Sequence, residues 1–195
     1  TSEGSVAAGI RRIEAVTGRE AYILMHKRFN ELNTIMNILG INIERAVEKV
    51  RSLKQENDSL VKNNYALRKE LAFNIYLKEK VKVENIKGVN LMTLNVGISD
   101  IAILRSLADK FRRDFISGVS VFAAIDDRKP LLIAAVTDDL VGRGLNADKL
   151  VKYIAEFING SGGGTPNLAQ AGGKNPSGLN SALEKVRDYI QGNLN

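Results

Sequence analysis

Between residues 46 and 71, apolar and amide side chains return at alternating intervals of four and three: Ala46, Val50, Leu53, Asn57, Leu60, Asn64, Leu67 and Leu71. That spacing puts them on one stripe of a helix, and the stripe needs another helix to cover it. Asn57 and Asn64 hold equivalent places in the seam. A buried Asn there costs stability but fixes register and orientation when it meets a polar partner. The surrounding region, residues 19–80, contains one glycine, Gly40, and no proline, as long helices require. A first helix over about 19–38 carries Ile23, Leu24, Phe29, Leu32, Ile35, Met36 and Leu39, and Gly40 with Asn42 supplies a turn into the second. The first helix is too short to cover the whole second one. The expectation is a helical hairpin whose uncovered seam helps to form a dimer, with a plain spacer as the alternative.

The texture changes at Val81. β-Branched runs alternate with amphipathic stretches, which suits a small α/β domain with a mixed sheet and flanking helices. Val89–Val96 reads as a strand. Ile98–Gly118 reads as a helix capped at Ser99 or Asp100. Val119–Ile125 and Leu131–Thr137 are strands joined by the turn Asp126–Pro130, a hairpin in the middle of a sheet. Asp138–Asn146 reads as a loop, Asn146 caps a helix to about Ile158, and a last helix runs from Ser177 to about Gln191. The fold class is therefore α+β: a long helical hairpin or coiled-coil arm followed by a small globular domain. The regions are 1–18, 19–80 and 81–195.

Chemistry is sparse. There is no cysteine, which removes disulfides, thiolate metal sites and a cysteine nucleophile. The one histidine, His26, lies in a predicted helix without metal-ligand neighbours, so no metal site is expected. The pairs Asp126/Asp127 and Asp138/Asp139 sit at strand ends, where Asp favours turns; Asp138, Asp139 and Arg143 lining a cleft is the alternative. No apolar run approaches the roughly 18 residues of a membrane span.

Net charge is +6, with a balance of zero over residues 1–18, +4 over 19–80 and +2 over 81–195. A modest basic excess suits an anionic partner, and equally an ordinary solvated surface. The candidate phosphate-binding cations are Lys110, Arg112 and Arg113 at one helix end, and Arg128 and Lys129 on the hairpin. Arg143, Lys149 and Lys152 surround the next helix start, and Lys174 follows the glycine stretch. That stretch, Asn159–Gly173, includes Gly162, Gly163, Gly164, Thr165, Pro166, Gln170, Gly172 and Gly173. It lacks the ending of a phosphate-binding P-loop and no strand feeds directly into it, so it is either architectural or an anion nest. AQAGG within it reads as a short strand.

Two separated segments resemble one family. GSVAAGIRRIEAVTG (Gly4–Gly18) looks like the close of the editing domain of alanyl-tRNA synthetases. GGGTPNLAQAGG (Gly162–Gly173) looks like the signature of their C-terminal globular domain, C-Ala, related to the domain beside DHH phosphoesterases. The resemblance spans the chain and implies a piece of a longer protein: 1–18 the end of an editing domain, 19–80 the helical subdomain, 81–195 C-Ala. It implies a non-catalytic cytoplasmic module that binds the elbow of tRNA(Ala), dimerises, contacts other synthetase domains and links aminoacylation with editing. ATP, Mg and Zn would be used elsewhere in such an alanine–tRNA ligase, with no cofactor here. The related phosphoesterase-linked domains place a histidine where this chain has Thr165, which favours a binding surface over a substrate contact. The alternatives are a structural oligomerisation module that binds single-stranded DNA or RNA generally, and a nuclease by analogy with those phosphoesterases.

Overall fold

A computed structural model describes residues 2–193. The chain forms two compact units that divide between Lys62 and Asn63, inside one continuous helix.

In the first unit, β1 (Ser2–Ala7) and β2 (Ile10–Glu14) pair antiparallel, with Gly4 opposite Arg12. Every residue of both strands is exposed. Helix α1 (Gly18–Leu39) ends where Gly40 takes the left-handed conformation, φ 62°, and its N–H returns to the carbonyls of Asn37 and Met36. The Asn42 side chain then accepts from the Arg45 N–H and starts the turn into α2 (Ala46–Lys80). The expected turn residues thus do the expected work. The seam is uncovered in the single chain. Leu60 is 59% exposed, Leu67 65% and Val50 52%, and Asn57 and Asn64 face water. On α1 only Met36 is buried. Each half-covered leucine keeps apolar area whose burial would be worth about 1 kcal/mol.

In the second unit, the end of α2 uses a different stripe. Ala72 and Tyr76, one helical turn apart, are fully buried, while Leu71, rotated from Ala72 by about 100°, stays outside. The following elements are β3 (Glu84–Ile86), β4 (Val89–Asn95), α3 (Ile101–Asp114), β5 (Gly118–Asp126) and β6 (Lys129–Val136). After them come α4 (Asp138–Gly142), α5 (Ala147–Ala155), β7 (Ser161–Gly164), β8 (Leu168–Gly172) and α6 (Leu179–Asn193). The sheet order is β3-β4-β5-β6-β8-β7, with β4 parallel to β5 and every other pair antiparallel. It is the mixed sheet expected, with the β5–β6 hairpin central.

Alternation decides the layers. Val119, Val121 and Ala123 of β5 face α5 and α6, packing with Leu150, Ile154, Val186 and Ile190. Phe122 and Ala124 face the other way, against Leu104, Leu107 and Phe111 of α3 and Tyr76 of α2. A central strand buried on both faces reads as a nearly continuous apolar run, as VSVFAAI does.

Three details differ from the expectation. Asp138–Gly142 is a short helix, because Leu140 is buried and two aspartates in the first turn suit the helix dipole. The last helix begins at Leu179, after a tight turn at Pro176–Gly178. Ser161–Gly164 is a strand despite its composition, because β8 pairs with it and α5 presses on it. A Cβ on Gly162 would lie 2.6 Å from Val151 Cγ1 and 2.5 Å from Ala171 Cβ. Here the missing side chain serves packing. Gly162→Ala is expected to lower unfolding stability by about 1–3 kcal/mol in urea titration. Gly142→Ala, with nothing near its added carbon, is expected to change it little.

Candidate nucleic-acid interface

Helix α3 organises the charged surface. Asp100 caps it, its carboxylate accepting from the N–H groups of Ala102 and Ile103. Its start lies near the hairpin tip, where the Ser99 hydroxyl donates to Asp126, and its end near the first residue of β5. The candidate cations fall at opposite ends of the sheet. Arg128 and Lys129 occupy the hairpin tip, where Asp127 and Arg128 both have positive φ (42° and 63°), the geometry of a two-residue type I′ turn. Lys174 is beside them, since the preceding Gly173 donates to Pro130 O at 2.9 Å. Arg112 and Arg113 at the end of α3, Arg143 after α4, and Lys149 and Lys152 on α5 lie toward the other end of the sheet, with α3 and α5 on opposite faces of it. The β5–β6 ladder separates the two groups by roughly 25 Å.

Pairing sorts them further. Lys110 is drawn inward: its ammonium donates to Asp114 at 2.6 Å, as do Lys80 at 2.8 Å and the Tyr76 hydroxyl at 2.9 Å. The Asp114 side chain is only 10% exposed. Burial alone would raise its pKa, but the hydrogen bonds from Lys110, Lys80 and Tyr76 outweigh it and hold the carboxyl at about 2. Burial, then the same hydrogen bond, pushes the Tyr76 phenol up. Arg112 reaches Asp138 at 3.5 Å and Asp109 at 4.0 Å. Lys152 holds Asp148 at 2.8 Å. Among the described residues, Arg113, Arg128, Lys129, Arg143, Lys149 and Lys174 meet no carboxylate.

The glycine motif is largely satisfied within the fold. Gly164 donates to Asp148 at 3.0 Å, so that N–H is not open to an outside anion. Lys152 first, and then Gly164, hold the Asp148 carboxyl below its ordinary range. Thr165 turns the chain back by exchanging hydrogen bonds with Leu168, and Pro166 O accepts from Ala147 at the start of α5. Gly163 and Gln170 are paired across β7–β8, and Gly172 pairs with both Ser161 and Leu131.

Two hollows flank α3. One, about 390 Å³, is lined by Arg105, Ile133, Gly163, Gly164, Thr165, Leu168, Ala169 and Gln170. The other, about 520 Å³, has Asp109, Arg112, Arg113, Ile116, Thr137, Asp138 and Asp139. The second contains the Asp138/Asp139 pair foreseen for a cleft, though Arg143 is not in its lining. Burial pushes the Asp139 carboxyl up, but hydrogen bonds accepted from the Thr137 and Ser117 side chains outweigh it and hold the group below its ordinary range. Arg105 escaped the sequence reading because no basic neighbour marks it. Its partner Gln170 is 65 residues away, and only the Arg105–Asp109–Arg112 spacing of one helical face hinted at it. His26 lies exposed on α1 beside Tyr22. Among the described residues no three His, Cys, Asp or Glu side chains gather as a metal site, and no helix is long and apolar enough to cross a membrane.

The model of the DHHA1 domain matches residues 78–192. The chain belongs to the DHHA1 domain family. This DHHA1 chain is 38% identical over 191 residues to alanine–tRNA ligases of Bacillus cytotoxicus and Bacillus subtilis, a match covering 97% of it. It spans 22% of the length of those relatives. Among solved structures it resembles the C-Ala domain of Aquifex aeolicus alanyl-tRNA synthetase, with a TM-score of 0.51 and 25% identity. That likeness covers 54% of this chain and 95% of that one. The family resemblance read from the two sequence segments is thereby upheld.

Within this DHHA1 chain the Asp114 cluster has a measurable signature. A carboxyl held at about 2, below its ordinary 3.8, contributes stability that is present above about pH 4 and lost as pH falls toward 2. Asp114→Asn is expected to lower stability by about 2–4 kcal/mol at neutral pH. It should also flatten the decline between pH 4 and pH 2 in urea titrations.

Proposed function

We propose that this chain is a tRNA-binding accessory module of an alanyl-tRNA synthetase, without catalysis of its own. One observation carries the reading: Arg113, Arg143 and Lys149 lie at one end of the DHHA1 region without carboxylate partners among the described residues. Unpaired cations sharing one end of a domain are what a phosphate backbone neutralises, releasing counterions. The likeness to a C-Ala domain, covering nearly all of that domain, supports the same reading.

The finer proposal is that the module grips the elbow of tRNA(Ala), so that one tRNA stays held between aminoacylation and editing by other domains of the synthetase. That role needs no cofactor here, since ATP, Mg and Zn would serve those other domains. It belongs in the cytoplasm. Dimerisation is proposed for the helical region. The Val50–Leu71 seam is exposed along its length, and a second copy would bury it with Asn57 and Asn64 setting register. The exposed seam also favours a second reading, an oligomerisation module with general affinity for single-stranded DNA or RNA.

One experiment addresses both halves. Gel retardation of tRNA by the chain should weaken steeply with salt, and Arg113→Glu/Lys149→Glu should weaken it at least about tenfold. Lys185→Glu, which disturbs only a surface pair with Asp188, should not. Leu60→Glu/Leu67→Glu should abolish dimers in light scattering while tRNA is still bound. Retardation indifferent to salt and to the double reversal at Arg113 and Lys149 would reject the tRNA reading. Monomers at every concentration would reject the dimer.

A further inference from the structure

We infer that Tyr153, on the solvent side of α5, is a stacking platform for an unpaired nucleobase of RNA, with Lys149 one turn earlier holding the phosphate of the same strand. That the partner is RNA rests on the tRNA reading above; the ring stack and the free cation beside it stand on their own.

Helices α5 and α6 lie side by side on the face of the sheet opposite α3. Leu150, Ile154, Val186 and Ile190 fill the core beneath them, while Tyr153 and Tyr189 pack at its rim, each partly exposed. Their ring centroids are 5.5 Å apart with planes tilted by 33°, and Phe157 meets Tyr153 edge-on at 5.7 Å. A tyrosine held on two sides has little rotamer freedom left to lose when a flat partner settles on it. Packing alone would be served by a phenyl group, as it is at Phe157. Neither phenol has a hydrogen-bond partner among the described residues, and neither is sealed from solvent, so both are left to water or to a ligand. Burial pushes the Tyr189 phenol up, which keeps it a neutral donor.

The charge beside the stack points to the occupant. Lys149 is exposed, meets no carboxylate among the described residues, and stands four residues before Tyr153. Side chains so spaced on a helix are neighbours, roughly 6 Å apart. A nucleotide presents the matching pair, a flat base joined through its sugar to an anionic phosphate. The other lysines of this face are engaged, Lys152 with Asp148 at 2.8 Å and Lys185 with Asp188 at 2.6 Å. Glu156 lies three residues past Tyr153, so a phosphate is favoured at the Lys149 end of the ring and repelled at the other. Bases inside a duplex are covered on both faces by their neighbours, whereas an unpaired base can lie on an aromatic ring.

The test is a titration of the whole chain with a short unpaired RNA and with an abasic strand of equal length, followed through the Tyr153 ring protons by NMR. The unpaired RNA should move those protons upfield, and the abasic strand should leave them in place. Tyr153→Leu should weaken the unpaired RNA at least about fivefold without altering the salt dependence, and Tyr153→Phe should bind as wild type does. Lys149→Gln should lower the slope of log affinity against log salt by about 1. RNA that binds with the Tyr153 ring silent, or as tightly to Tyr153→Leu as to the wild type, would overturn the inference, as would equal affinity for the abasic strand. Normal tRNA retardation alongside any of those results would leave the tRNA reading standing. Upfield shifts with unpaired RNA in a chain that cannot retard tRNA would do the reverse.

Discussion

Asp114 ties the second unit together. Its carboxylate receives the Lys110 ammonium from its own helix, and the Lys80 ammonium and the Tyr76 phenol from α2, 34 and 38 residues away in sequence. A nearly buried carboxylate is costly unless fully partnered, and three donors meet that demand. The cluster fixes the end of α2 against α3, so that Tyr76 and Ala72 can close the α3-side core over Phe122. Lys80 also lies 5.4 Å from the Phe115 ring, extending the contact past the end of α3.

The same cluster edits the surface. Four cations follow one another closely on α3, at residues 105, 110, 112 and 113, and would repel one another if all were free. Asp114 takes Lys110, and Asp109 and Asp138 take Arg112, so the charge left without a carboxylate resides on Arg105 and Arg113. The domain therefore offers a few separated positive points rather than a continuous basic sheet. Such points suit a partner whose charges are themselves spaced, as phosphates are.

Much of this was legible in the sequence, and for identifiable reasons. β5 and β6 announced themselves because a central strand is apolar on both faces. Asn146 and the Ser99–Asp100 pair, of which Asp100 is the cap, announced their helices because a cap must stand just before an apolar period. The Gly40–Asn42 turn followed from the need for a left-handed residue. What escaped depends on residues distant in the chain. Lys110 looks identical in sequence to Lys149, and only the arrival of Asp114, Lys80 and Tyr76 at one point separates a buried ion pair from a free cation. Arg105 gained meaning from Gln170, which no local pattern connects to it. SGGG reads as loop by propensity and became a strand because β8 and α5 leave no room for side chains. The seam at Val50–Leu71 was legible as a stripe that needs a partner, but a stripe does not name the helix that covers it.

The central claim is that this DHHA1 chain binds tRNA as a module, at the outer corner of the molecule. Hydroxyl-radical footprinting of tRNA(Ala) with the whole chain tests it most directly. The account predicts protection confined to the elbow, lost when Arg113 and Lys149 are reversed. Protection spread evenly over the backbone, or centred on the anticodon or acceptor end with the elbow still cleaved, would contradict it.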